Sequence, residues 1–304
     1  MAIFLLRRLG QSVLTLLAVS IFAFAMIHLV PGNPATIALG SNATPQAVAQ
    51  LTHQLGLDQP LPHQYWTFIT DALHGNLGVS IRSQQPVSTE IISSAGSTIQ
   101  LALGATVLAV IAGVGVGVIA ATSRRWIDLS VMTTALAGLS MPTFWSGILL
   151  ILLFGLTWNI FPVVGAGGLS TLVLPAVTLA LPAAAVLARI TRGSMLEVLR
   201  QDFVRTARAK GIRRSRVVLR HALPNAVVPV ITIIGLQIGG LLAGTVVVET
   251  LFARPGVGRL AVQAIQERDF PVVQGVVLLA GLVFVVINLI VDLLYPLVDP
   301  RIRR

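Results

Sequence analysis

The residues best suited to interact with another molecule form a short basic segment in the second half of the chain. Residues 202–210 read Asp-Phe-Val-Arg-Thr-Ala-Arg-Ala-Lys, and Gly211 follows them. The segment has no helix breaker, begins with an aspartate that can cap a helix and ends at a glycine, so we predict a short helix. Arg205 and Arg208 are three residues apart and therefore share a face. Three further residues offer apolar area to a partner's groove: Phe203, Val204 and Ala207.

Such a basic helix has two uses that composition alone does not separate. It can dock on another protein through its charged and apolar side chains. It can also lie beneath acidic lipid headgroups as an ordinary positively charged cytoplasmic segment.

Catalytic chemistry is poorly supported by the residues present. A phosphate-binding loop needs G-x-x-x-x-G-K-[S/T], yet the only lysine, Lys210, stands between Ala209 and Gly211. The chain has no cysteine, which excludes disulfides, thiolate zinc sites and a cysteine nucleophile. Ser140 and Ser146 have no histidine at comparable depth in any predicted span, so we expect no serine dyad. No cluster of histidines and carboxylates suggests a metal site, and we expect no cofactor in this chain.

Ion-coupled transport would need an ionisable side chain inside the membrane, and Asp292 is the best candidate for it. Asn288 precedes it by one turn, but Asp292 lies within about two turns of the cytoplasmic tail. A carboxylate at the membrane interface, bonded to a neighbouring helix, is the alternative interpretation. Glu249 and His28 have similar structural explanations. A proton-coupled carrier that uses Asp292 is therefore kept as an alternative function.

The elements that must position these residues are membrane spans. The 304 residues are 55% hydrophobic and 11% charged, with a mean hydropathy of +0.87, whereas soluble domains have about 25% charged residues. Apolar segments long enough to cross a bilayer occur at roughly 9–30, 98–121, 131–155, 171–190, 226–249 and 272–296. We predict an all-α, polytopic membrane protein with six transmembrane helices and a single transmembrane domain over 1–304.

Basic residues orient these spans. Most of the 21 arginines and lysines fall in segments that are cytoplasmic when the N-terminus is cytoplasmic, and the largest group lies between Arg189 and Arg220. Six spans then place both termini in the cytoplasm, leaving residues 31–97 outside and 191–225 inside. The net charge of +10 does not indicate nucleic-acid binding, because the arginines alternate with apolar runs and form no single solvated face.

Two further patterns concern local structure. Within 31–97, Thr44-Pro45 and Gly56 bracket a predicted capped helix over 46–54, and a second is predicted over 62–74 before Gly75. A short extended piece is predicted over 77–81. Two groups of glycines have the small-residue spacing that lets helices approach closely in lipid. They are Gly113, Gly115 and Gly117, and Gly235, Gly239, Gly240 and Gly244.

The predicted loop 191–225 resembles that of binding-protein-dependent ABC importer permeases. Their consensus is E-A-A, three residues, G, nine residues and I-x-L-P; here Arg205-Thr-Ala-Arg-Ala-Lys-Gly211 precedes nine residues and His221-Ala-Leu-Pro224. Arg205 replaces the usual glutamate and His221 the isoleucine. The wording T-A-R-A-K-G, followed by R-H-A-L-x-N-A, looks like the dipeptide and oligopeptide branch of the family.

The resemblance extends along almost the whole chain. Six further stretches look like the first permease subunit of that branch: Leu29-Val-Pro-Gly-Asn-Pro34, Gln54-Leu-Gly-Leu-Asp-Gln-Pro60, Gly75-Asn-Leu-Gly78, Leu139-Ser-Met-Pro-Thr-Phe144, Glu249-Thr-Leu-Phe252 with Pro255-Gly-Val-Gly258, and Asp299-Pro-Arg-Ile-Arg303. Each is short, but their order and membrane depth are shared with the family.

The resemblance implies a type I ABC importer permease fold and a site that couples the chain to an ATPase. A coupling helix ending at Gly211 would dock on the ATPase through Arg205, Thr206, Ala207, Arg208 and Lys210. Beyond the turn at Gly211, the site would include His221, and Leu223-Pro224 would lead into the fifth span.

Partners, substrate and location follow from the same resemblance. The implied partners are a homologous second permease, two cytoplasmic ATPases that bind ATP and Mg²⁺, an extracytoplasmic substrate-binding protein and membrane lipid. Short peptides are the favoured substrate, and nickel, glutathione or another small solute is the alternative. The implied location is the cytoplasmic (inner) membrane of a bacterium or archaeon, crossed several times.

Overall fold

The computed structural model describes residues 2–29, 32–40, 43–165 and 167–298, with side chains described between residues 7 and 291 of those ranges. In this part of the chain the regular structure is helical, and one isolated antiparallel bridge joins Val79 to Pro86. The predicted all-α class is confirmed. The tail motif at 299–303 lies outside the described residues, as does the side chain of Asp292.

The helices of the described ranges are numbered in chain order. They are α1 (Ala2–Leu29), α2 (Pro34–Leu39), α3 (Pro45–Gln54), α4 (Leu61–Leu73), α5 (Val87–Thr122), α6 (Arg125–Ser140), α7 (Thr143–Leu150), α8 (Ser170–Val198), α9 (Asp202–Ala209), α10 (Arg214–Arg216), α11 (Leu223–Ala226), α12 (Val228–Leu251), α13 (Val257–Glu267) and α14 (Phe270–Val298). Two π-helical turns join neighbouring helices: Ile151–Thr157 after α7 and Val217–Ala222 after α10.

The described helices include five that are long and apolar enough to cross a membrane, and a bent helix pair brings the number to six where it forms one span. Five are single helices: Arg7–Leu29 of α1, then α5, α8, α12, and Phe270–Val291 of α14. The bent pair is Arg125–Ser140 with Thr143–Thr157, in which the helix direction turns by 107° at the break. With six spans, the positive-inside distribution agrees with both termini lying in the cytoplasm.

The third span differs from the straight helix expected over 131–155, because the chain breaks at Met141–Pro142. Met141 is extended, with φ −80° and ψ 130°, as steric contact with a following proline favours. Pro142 then starts α7, and its carbonyl accepts hydrogen bonds from the backbone N–H groups of Trp145 at 3.0 Å and Ser146 at 3.1 Å. The proline therefore ends one helix and begins the next in a new direction.

The short helices predicted between the first two spans are confirmed. Thr44 caps α3, its hydroxyl accepting the N–H of Ala47 at 3.2 Å. Helix α4 ends before Gly75, which has a φ of +79°. The prediction of a short extended piece is only partly confirmed, because pairing there is limited to the bridge between Val79 and Pro86.

The chain divides into two units, and the first comprises Met1–Gly96 with Pro255–Leu289. Its buried apolar cluster joins the start of α5 to α13 and α14: Val87, Ile91, Ala264, Val272, Val273 and Val276. The buried Asp269 carboxylate accepts the Ser80 hydroxyl at 2.6 Å and the Arg82 N–H at 3.1 Å. Arg82 also donates twice to the Glu267 carbonyl, at 2.8 and 3.0 Å. These bonds hold the turn before α5 against the α13–α14 corner.

The second unit comprises Ser97–Arg254 with Ile290–Arg304. Helices α5, α8 and α12, with Phe252, form its core: Leu101, Ala105, Ala109, Leu174, Ala176, Leu179, Ala180, Ala183, Leu187, Val230, Leu241, Val248 and Phe252.

The close approach of α5 to α8 depends on two of the glycines of the Gly113–Gly117 pattern. A Cβ at Gly113 would lie 2.6 Å from Leu187 Cβ and 2.8 Å from the Ala184 carbonyl oxygen. A Cβ at Gly117 would lie 2.6 Å from both the Ala188 carbonyl oxygen and Thr191 Cβ. At Gly115 no atom lies within 4 Å. The packing role predicted for this pattern is confirmed at Gly113 and Gly117.

Gly117→Ala is expected to destabilise the permease by about 1–3 kcal/mol, the usual cost of overpacking. Gly115→Ala is the matched control, since alanine there meets open space and is the better helix former. Thermal unfolding of the detergent-solubilised protein should therefore show a lower midpoint for Gly117→Ala than for Gly115→Ala. Equal midpoints would contradict the close packing of α5 on α8.

Candidate functional site

Helix α9 carries most of the predicted coupling residues, and its two ends are defined by backbone geometry. At its end, the N–H of Gly211 donates to the Arg208 carbonyl at 3.0 Å, and that of Ile212 to the Ala207 carbonyl at 3.3 Å. This pair of bonds is a Schellman motif, which requires the left-handed conformation that Gly211 adopts at φ +75°. Gly211 therefore forms the turn at the end of α9, as the sequence predicted.

The start of α9 differs in detail from the expectation. The N-cap is Gln201, in an extended conformation, and no side chain makes a capping bond. Asp202 is the first helical residue, so the prediction that it caps the helix is wrong. Its negative charge in the first turn still favours the helix dipole.

One face of α9 is anchored to its own chain. Val204 is completely buried and Ala207 is 7% exposed. Both belong to a small apolar cluster with Val217, against which Leu199 and Ile212 pack. The expectation that Val204 and Ala207 contribute contact area for a partner is therefore corrected, because their side chains hold the helix in place.

The opposite face of α9 is exposed and basic. Arg205, Thr206, Arg208 and Lys210 are all exposed, and Phe203 retains 40% exposure at its edge. Arg205 lies 3.5 Å from Asp202, but both side chains are more than three-quarters exposed, so this ion pair adds little stability. The face is free to make contacts outside this chain.

Residues 221–224 have a different setting from α9. The partly buried Leu223 packs against an apolar cluster formed by the end of α8 and the chain after Val217: Met195, Val198, Val218, Ala222 and Ala226. The partly buried His221 lies in the π-helical turn, its carbonyl accepting Asn225 Nδ2 at 2.8 Å. Pro224 is exposed and has no N–H for the carbonyl of Arg220, which favours an irregular turn. This stretch connects α9 to α12 and anchors the connection.

Two polar contacts tie the basic loop and α8 to neighbouring spans. Arg192 of α8 donates to both carboxylate oxygens of Asp128 in α6, with Nη2 to Oδ2 at 2.5 Å. Such a bidentate pair fixes direction as well as distance. Arg214 donates to the Thr122 carbonyl at the end of α5. Sequence reasoning counted Arg192 and Arg214 only as topology markers. The sequence feature that could have indicated the ion pair is Asp128, because it is the only carboxylate between Glu90 and Glu197.

A buried charged group lies at the other end of the second unit. Glu249 is fully buried and accepts the Thr98 hydroxyl at 2.7 Å. Arg254 is 1% exposed, and its Nη1 donates to the Thr171 carbonyl at 3.3 Å. Burial lowers the pKa of the Arg254 guanidinium, and the charge of Glu249 acts in the opposite direction. The sequence did not predict the burial of Arg254 or its electrostatic interaction with Glu249.

Metal coordination finds no support in the part of the chain that the structure describes. No group of three or more histidine, aspartate or glutamate residues there is arranged to hold a metal ion. The exposed, basic face of α9 on its anchored base is suited to the recognition of another molecule.

Comparisons with known proteins agree with this architecture. A family model described as "Binding-protein-dependent transport system inner membrane component" matches residues 113–304, and its N-terminal counterpart matches 1–102. The chain is 46% identical over 301 residues to the glutathione transport system permease protein GsiC of Escherichia coli O6:H1, covering 99% of this chain and 98% of that protein. The same-named protein of Pectobacterium atrosepticum is 45% identical with the same coverage.

A solved structure is similar in fold. The crystal structure of an amino acid ABC transporter with histidines matches with a TM-score of 0.54 and 16% identity, covering 68% of this chain and 94% of that chain. At this identity the likeness concerns the fold alone.

Proposed function

Because the chain belongs to the family of binding-protein-dependent transport system inner membrane components, we propose that this permease carries glutathione or a similar short peptide. It is a subunit of an ABC importer in the cytoplasmic (inner) membrane and has no ATPase site of its own. The observation that carries the substrate proposal is 45–46% identity over 301 residues to permeases named for glutathione transport. Glutathione is among the alternative substrates that the sequence resemblance left open beside the favoured short peptides, and as a modified tripeptide it is chemically close to them.

The substrate proposal predicts which solute stimulates transport. Proteoliposomes with the complete importer, its binding protein outside and ATP inside are expected to accumulate labelled glutathione. Labelled nickel ions test the other named alternative, and nickel uptake without glutathione uptake would overturn the glutathione assignment. Uptake of an unmodified dipeptide without glutathione uptake would overturn the glutathione assignment and leave the permease assignment intact.

A second arm of this experiment tests the energy source. Omitting the ATPase subunits should abolish uptake if ATP hydrolysis drives the permease. Uptake by this chain alone under a proton gradient would instead favour the carrier alternative that uses Asp292. Asp292→Asn in the complete importer is expected to leave ATP-driven uptake unchanged.

The coupling role of α9 is the second part of the proposal. Importers of this family work with ATPase, permease and binding-protein partners. The exposed residues Arg205, Thr206, Arg208 and Lys210 dock in a groove on one of two ATPases, which bind ATP and Mg²⁺. Support comes from the anchored inner face of α9, which leaves the basic face outward.

Motion would pass from α9 into the spans through the contacts at its base. Val204 and Ala207 join α9 to the chain leading into α12, and Arg192 joins α8 to α6. Closure of the two ATPases on ATP moves α9 as a rigid body, and the packed helices follow. A homologous second permease supplies the other half of the pathway, and the binding protein delivers substrate from outside. This coupling requires no titrating group in the chain.

A further inference from the structure

Helix α4, between the first two spans, packs on the first span through one face only. The hydroxyl of Tyr65 lies 2.9 Å from that of Ser20 in α1. The Phe24 ring of α1 meets that of Tyr65 edge to face and that of Phe68 at a tilt, with ring centroids 5.4 and 5.9 Å apart. Gln64 adds a contact, its Oε1 lying 3.0 Å from His28 Nε2.

These contacts set the depth of α4 relative to the bilayer. Ser20 stands nine residues before Leu29, the end of the span Arg7–Leu29. At 1.5 Å per residue, this separation is about 13 Å along the helix axis. Tyr65 therefore reaches below the outer end of a membrane span, and the body of α4 lies beside Phe24 and His28 at the level of the outer leaflet.

The orientation of α4 is fixed by hydrogen bonds at its start. Gln64 Nε2 donates to the carbonyls of Gln59 at 2.7 Å and Leu57 at 3.3 Å, in the turn before α4. Its oxygen faces His28. One side chain thus joins the turn, α4 and α1, so the helix cannot rotate freely about its axis.

A second face of α4, about a third of a turn around the helix from the residues that contact α1, is apolar and largely exposed within the described chain. Its stripe has helical spacing and consists of Pro62, Trp66, Ile69 and Leu73. Trp66 is 68% exposed and Leu73 is 80% exposed. Thr70, the polar residue beside this stripe, is satisfied within the helix, its hydroxyl donating to the Trp66 carbonyl at 2.9 Å. The stripe thus presents no unsatisfied hydroxyl to its surroundings.

We propose that α4 is an interfacial helix whose Pro62–Trp66–Ile69–Leu73 stripe contacts lipid acyl chains of the outer leaflet. Three observations favour lipid: the depth set by Ser20, the absence of charge on the stripe, and the internal satisfaction of Thr70. Amphipathic helices in interfaces bury their apolar face about 5–10 Å below the headgroups, and tryptophan is enriched at that level. The extracytoplasmic segment is thus held to the membrane surface as well as to α1.

Depth-resolved fluorescence quenching of Trp66 tests this proposal. This chain has three other tryptophans, Trp126, Trp145 and Trp158. Replacing them and the tryptophans of the partner subunits by phenylalanine leaves Trp66 as the single tryptophan in the complete importer. In nanodiscs, phospholipids brominated on the upper acyl chain are expected to quench Trp66, and aqueous iodide is expected to quench it weakly. Leu73→Trp with Trp66→Phe provides a second probe on the same stripe. Brominated lipid should quench this tryptophan strongly and iodide should quench it weakly, as expected for Trp66.

The matched control moves the fluorophore off the stripe. Gln50→Trp with Trp66→Phe places it on α3, where Gln50 is exposed, and iodide should quench it more than brominated lipid does. Strong quenching of Trp66 by iodide would overturn the proposal in favour of water. Protection of Trp66 from both quenchers would overturn it in favour of a partner protein. Neither readout depends on the transported substrate.

Discussion

Gly211→Pro is expected to abolish ATP-driven uptake while the permease remains inserted in the membrane. Gly211 has a φ of +75°, whereas proline fixes φ near −65°. Proline also removes the N–H that bonds the Arg208 carbonyl, and the changed backbone direction breaks the bond from Ile212 to Ala207. If proline at this position costs about 3 kcal/mol or more, the fraction of permease molecules with an ordered α9 end falls by about a hundredfold.

Two further substitutions at the same position separate backbone strain from side-chain bulk. A Cβ at Gly211 would meet no atom within 4 Å, so bulk alone should be tolerated. Asparagine adopts the left-handed conformation readily, and Gly211→Asn should keep near-normal uptake. Gly211→Val should fall between asparagine and proline because a β-branched residue is strained there. Uptake and copurification of the ATPase should follow this order; normal values for Gly211→Pro would remove α9 as the coupling element.

Breaking the buried pair of Glu249 and Arg254 is expected to give the largest loss of stability. Glu249→Gln leaves the guanidinium of Arg254, which is 1% exposed, without its compensating charge. Removing one partner of a buried pair typically costs about 3–5 kcal/mol. Arg254→Met leaves the carboxylate of Glu249 buried instead and should cost a similar amount. Unfolding of each purified variant in detergent measures both effects.

The double variant distinguishes charge pairing from simple loss of contacts. Glu249→Gln combined with Arg254→Met removes both charges, so the total loss should be clearly smaller than the sum of the two single losses. Glu267→Gln is the surface control, since this exposed carboxylate should change stability by no more than about 0.5 kcal/mol. Additive losses at positions 249 and 254 would show that the two charges do not compensate each other.

Long apolar runs were sufficient to predict the spans because each crosses the bilayer with its own backbone hydrogen bonds satisfied. Hydropathy alone did not predict the bend in the third span, since Met141 and Pro142 interrupt helix geometry while the surrounding residues remain apolar. The extension of α5 back to Val87 was also missed. Residues 87–97 are richer in serine and threonine than the span and include Gly96, a poor helix former, yet they contain no proline.

At the coupling loop, features that depend on neighbouring residues could be predicted from the sequence, whereas contacts between distant residues could not. The sequence predicted α9 and its end at Gly211 because both depend on neighbouring residues. It did not predict that Val204 and Ala207 face inward, because their partner Val217 returns to them only after the turn. The pairing of Asp128 with Arg192 was likewise beyond local reasoning, since 64 residues separate the two.

The bent third span has a consequence for synthesis at the membrane. Its first arm has 16 residues, about 24 Å of helix, which is shorter than the hydrocarbon core of about 30 Å. The partner that fixes this arm is α8, through Arg192 and Asp128, and α8 leaves the ribosome later. A nascent chain truncated before Ser170 should therefore hold its third span loosely, and that span should become fixed only when α8 has entered the bilayer.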